Sequence, residues 1–135
     1  MIMQFLMKAL PWLAGLTAVL HTVWGTSEVH TPLLTSELPP EISLLLYACW
    51  HIVTAVLIGS SVVLMVAIYG PKSAAWIIAA RLVGALWITS GLVFISITLL
   101  FSDYTKLFTL GQWILLIPIG LLTLLGPYHR KLNRV

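Results

Sequence analysis

The chain reads as long apolar runs broken by short polar punctuation. Four runs, at about 9–30, 42–68, 74–101 and 106–126, are each long enough for a helical membrane span of roughly 20 residues. Thr31-Pro32 is expected to stop the first helix, and Pro39-Pro40-Glu41 suits the first turn of the second. Gly70-Pro71 ends the second and Ser73 caps the third; Ser102-Asp103 caps the fourth and Gly126-Pro127 ends it. The expected fold is all-α: one domain over 1–135, a polytopic membrane protein built as an antiparallel four-helix transmembrane bundle. The two Gly-Pro stops fall at the same end of both hairpins, a coincidence that good helix punctuation explains without a duplication.

Composition agrees with the pattern. Of 135 residues 60% are hydrophobic and 8% charged, and the mean hydropathy is +1.05. A soluble domain of this size cannot cover so much apolar side chain with so little charge. The net charge of +3 comes from scattered basic residues at the ends of apolar runs, so it gives no sign of a nucleic-acid partner. Cys49 is the sole cysteine, which excludes an intrachain disulfide and a CxxC site.

Charge also predicts topology. An up-down-up-down path puts Lys8, Lys72, Arg81, Arg130, Lys131 and Arg134 on one side. Glu28, Glu37, Glu41 and Asp103 fall on the other side, with Lys106 alone among them. The positive-inside rule makes the basic side cytoplasmic, with both termini inside, in a plasma membrane or bacterial inner membrane. The N-terminal stretch has no Lys or Arg before Lys8 and no A-x-A site after its apolar run, so an uncleaved first span is expected.

The polar groups inside the spans carry the chemistry, because ionisable residues at membrane depth are costly and biased toward function. Ala14, Ala18, His21, Gly25 and Glu28 are spaced 4, 3, 4, 3, a seam of small residues that lets a neighbouring helix approach. Ala48, His51, Ala55 and Gly59 repeat the device on the second span, and the two seams are expected to face each other. His21 and His51 then lie roughly level, about 13–15 Å inside their helix ends. Trp24 and Trp50 flank them, and Gln112 and Ser96 fall in the same half. Pro118 is expected to kink the fourth span. Ala80, Gly84 and Gly91 on the third span are candidates for docking an outside partner. Arg81, eight residues into the third span, is read first as snorkelling to headgroups and second as an anion or lipid-phosphate site.

These groups support three readings. His21 and His51 can bind a haem-like macrocycle or a transition metal between the first two helices, with Glu28 and His30 joining a metal site. Gln112, Trp24 and Trp50 would surround the ligands. The setting would be an electron-transfer or transport complex, in lipid, as part of a larger assembly or homo-oligomer. A second reading makes the chain a structural or assembly subunit whose histidines only bond between helices. A third makes His21, Glu28, His30, Glu41 and His51 a metal-ion or proton path. Catalysis is not favoured: Cys49 and His51, two residues apart on a helix, point away from each other, and Ser27, Glu28 and His30 are mere sequence neighbours. The tryptophans suit an interfacial belt, Trp87 suits packing, and His129 suits lipid headgroups.

Overall fold

A computed structural model describes residues 2–71 and 73–128. The expected placements of Lys72, His129, Arg130, Lys131 and Arg134 lie outside the described residues. Helix α1 runs Ile2–Gly25 and passes through a π-helical turn, Thr26–His30, into the short α2, Thr31–Leu34. Helices α3 (Pro40–Tyr69), α4 (Ala74–Phe101) and α5 (Trp113–Leu125) follow. Helix α1 packs on α3 and α5, and α4 packs on α3 and α5, so the four long elements close into a ring. The segments Ile2–Leu34, Pro40–Tyr69 and Ala74–Phe101 are long and apolar enough to cross a membrane.

The first span does not stop at Thr31-Pro32. Pro32 has no amide to donate one turn back, yet the helix continues because the preceding turn is π-helical: the Thr31 amide bonds the Thr26 carbonyl, five residues away. Hydroxyls bond back to carbonyls along the same turns. Thr26 Oγ1 bonds the Thr22 carbonyl, Ser27 Oγ that of Trp24 and Thr31 Oγ1 that of Thr26. The second and third spans begin and end within two residues of expectation. Ser73 caps α4 by accepting the Ala75 amide at 3.2 Å.

The fourth run is shorter than expected. Asp103 accepts the Thr105 amide and starts a 3-10 helix, Tyr104–Phe108, in place of an α-helix. Turns continue through Gly111 and Gln112, and Trp113 Nε1 ties back to the Leu107 carbonyl at 3.0 Å. Helix α5 therefore has 13 residues, about 20 Å of rise against a hydrocarbon core near 30 Å. Pro118 sits within it on the exposed side.

The tightest packing is between α4 and α5. Ala80, Gly84 and Gly91 are buried, and a Cβ on Gly91 would meet Ile117 of α5. The small-residue stripe of α4 is thus filled from within the chain, which corrects its expected role as a face for outside partners. Trp87, 2% exposed, donates from Nε1 to Ser60 Oγ of α3 at 3.1 Å, a polar bond between helices within the core. Across the other pair, Ser61 Oγ bonds the Pro11 carbonyl at 3.0 Å and Tyr69 Oη the Lys8 carbonyl at 2.8 Å. Both bonds hold α3 against the proline-containing half of α1.

Candidate functional site

The first seam forms as far as Gly25. Ala14 and Ala18 are buried, His21 is half-buried, and the Gly25 Cα faces the Trp50 indole, whose Nε1 lies 3.0 Å from where a Cβ would stand. Beyond Gly25 the π-turn changes the phase. One extra residue per turn carries Glu28 off the seam and brings His30, five residues after Gly25, onto it. Glu28 is exposed and accepts a 2.6 Å bond from Trp24 Nε1, so these two residues pair with each other on the outer surface, away from the histidines.

The second seam is rotated from expectation. Ala48, His51, Ala55 and Gly59 are all exposed, and nothing lies within 4 Å of a Cβ built on Gly59. The face of α3 turned to the bundle carries Tyr47, Trp50, Thr54, Leu57, Ser61 and Leu64 instead. These larger side chains fill the space that the alanines and glycine of α1 leave, a large-to-small fit that two small seams would not give.

His21 and His51 consequently meet through Trp50. His21 stacks on the indole at 5.2 Å between centroids and 25° between planes, while His51 meets it edge-on at 4.9 Å and 77°. Among the described residues no ring contact joins the two imidazoles. His30 completes the cluster, 5.8 Å from Trp50 and 4.9 Å from Tyr47, and Tyr47 in turn meets His51 edge-on at 4.5 Å. Five aromatic or imidazole rings from two helix segments thus form one contiguous group.

Its polar atoms are thinly supplied. His21 Nε2 lies 3.4 Å from the Trp50 carbonyl, long for a hydrogen bond, and that carbonyl already accepts from Thr54 Oγ1 at 3.1 Å. His30 Nδ1 and Trp50 Nε1 are buried with no hydrogen-bond partner, a cost of about 1–3 kcal/mol each when nothing answers them. Gln112 is exposed in the turn before α5 and bonds neither histidine. Cys49 is exposed. Ser96 is exposed on α4, and Glu37 and Glu41 are exposed at the loop and helix start. Among the described residues no group of three or more His, Cys, Asp or Glu side chains gathers as a metal would require.

Tyr47 and the π-turn are the parts that sequence reasoning did not single out. Two signals existed: Tyr47 stands one helical turn before His51, and Thr26, Ser27 and Thr31 cluster just before a proline that the helix survives. No protein-family model, curated protein or solved structure matches the chain.

Proposed function

We propose that the protein is a non-catalytic membrane module that holds a histidine-ligated group, a haem-like macrocycle, with His51 as the ligand. The observation that carries this reading is the open strip on α3. His51 is exposed between Ala48 and Ala55, with Gly59 beyond, so small residues flank an exposed imidazole that Tyr47 and Trp50 meet edge-on. Neutral imidazole binds iron well, and small neighbours leave room for a flat ring. His21 acts as a positioning residue: it stacks on Trp50, which holds His51 edge-on. A bis-axial His21–His51 pair would need the Trp50 indole to leave. A metal bound by side chains alone is less well served, since no triple set of ligands converges among the described residues.

The strip also fits an assembly role. A macrocycle on an exposed helix face needs a cover, and a helix of a larger complex or of a second copy would supply it. The four-span path with both termini cytoplasmic belongs to the same proposal. It rests on the segregation of Glu28, Glu37, Glu41 and Asp103 from Lys8 and Arg81. With Cys49→Ser as background, Thr35→Cys should react in intact cells with an impermeant thiol reagent.

The deciding experiment is a visible spectrum of the gently purified protein, oxidised and dithionite-reduced. A Soret band that His51→Ala abolishes, and that His21→Ala shifts without abolishing, supports the reading. A spectrum featureless above the aromatic bands, in protein purified with its natural partners, sinks it.

A further inference from the structure

The opposite end of the bundle carries a second group that packing alone does not explain. Arg81 is exposed on α4, seven residues after Ala74. Its side chain borders a groove of about 250 Å³ lined by Ala74, Ile77, Ile78, Arg81 and Tyr128. The acidic side chains, Glu28, Glu37, Glu41 and Asp103, all belong by sequence to the other end of the bundle, so the chain offers this guanidinium no carboxylate side chain.

Depth sets what can reach it. Helix α4 has 28 residues, about 42 Å of rise, and overhangs a 30 Å core by about 6 Å at each end if centred. The Arg81 backbone then lies about 10 Å from the helix start, just below the hydrocarbon boundary. A long side chain from that depth ends at the level of lipid phosphates.

The groove has the right two-sided chemistry. The guanidinium presents a planar fork of donors that matches phosphate oxygens. Ala74, Ile77 and Ile78 are apolar, and Ile78 is 59% exposed along the outer face of α4. Tyr128 turns its hydroxyl inward, donating to the Thr123 carbonyl at 2.7 Å, which leaves its ring as the opposite wall. The volume is below the roughly 300–1,000 Å³ of pockets for drug-sized ligands. It suits a phosphodiester and its first carbons, with the chains running on down α4. A soluble phosphate would leave the isoleucine and tyrosine walls unused.

We propose that this groove is a binding site for one anionic phospholipid, its phosphate on Arg81 and its glycerol carbons against Ile77, Ile78 and Tyr128. The site is independent of the histidine cluster. Snorkelling alone would favour anionic lipid diffusely, without a fixed stoichiometry and without dependence on the fork or on Ile78, whereas a built site holds one molecule and depends on both.

Native mass spectrometry of the full chain released from detergent tests it, with phosphatidylglycerol, phosphatidylcholine and inorganic phosphate added in turn. The wild type should retain one phosphatidylglycerol in preference to phosphatidylcholine. Arg81→Gln should weaken that binding about tenfold, the loss of a charge-assisted contact. Arg81→Lys should fall between, keeping the charge without the fork, and serves as the reporter if Arg81→Gln does not fold. Ile78→Ser should weaken lipid retention as well. Three results would overturn the proposal: equal retention by wild type and both Arg81 variants, equal retention of the two lipids, or displacement of the lipid by an equal concentration of inorganic phosphate.

Discussion

Gly84 and Gly120 face each other across the α4–α5 contact so closely that a methyl group on either would stand 2.8 Å from the other's carbonyl oxygen. The obstacle is backbone, which cannot step aside as a flexible side chain can. In lipid no hydrophobic drive pulls helices together, so close backbone approach and the dispersion it permits must do so. Gly84→Ala and Gly120→Ala should therefore each destabilise the protein by about 1–3 kcal/mol through overpacking. Gly59→Ala, at a position with open space around it, should not destabilise it. Thermal unfolding in detergent separates the two classes.

The Trp87–Ser60 bond predicts a smaller, coupled effect. Both residues are buried, and the bond joins α3 to α4. Interhelical hydrogen bonds in membranes average about 0.6 kcal/mol and reach about 1.7. A double-mutant cycle with Ser60→Ala and Trp87→Phe should give a coupling energy in that range. Zero coupling would mean that Trp87 contributes packing alone.

How much of this was legible in the sequence depends on what encodes each feature. The ends of α4 were legible because Ser73 and Ser102-Asp103 are local signals whose partners lie within a few residues. The buried face of α1 up to Gly25 was legible from small-residue spacing. The face of α3 was not. That helix is apolar on every side, so in lipid the inward face is chosen by fit against α1, which no pattern along α3 records. The small seam was assigned inward, and Trp50 and Tyr47 occupy that place. Beyond Gly25 the seam reading failed for a different reason: a π-turn shifts the phase by one residue, so Glu28 leaves the seam and His30 takes its place.

That exchange can be checked directly. In a Cys49→Ser background, His30→Cys with Tyr47→Cys should be joined by a short bifunctional thiol reagent, because the native rings, 4.9 Å apart, leave a gap that two cysteines alone do not span. Glu28→Cys with Tyr47→Cys should not, since Glu28 lies on the exposed surface with Trp24. The reverse pattern would show that the helix runs through Thr26–His30 without the wide turn. It would also return Glu28 to the α3 side and His30 to the surface.

Tyr128 gives the pH prediction. It follows Gly126-Pro127, beyond α5, and its pKa is raised from 10.0 to about 12. Burial of the ring and hydroxyl is the main cause, and the positive charge of Arg81 opposes it. Between pH 10 and 12 the folded protein holds a proton that the unfolded chain has lost. Stability from this group is therefore complete below pH 10 and declines as pH rises toward 12. Phenolate absorbance should show one late step near pH 12. Tyr128→Phe should remove that step and flatten this part of the stability profile. Arg81→Gln should move the step later, because the charge that favours phenolate is gone. An unchanged step in Arg81→Gln would place the guanidinium away from Tyr128 and separate the two walls of the groove.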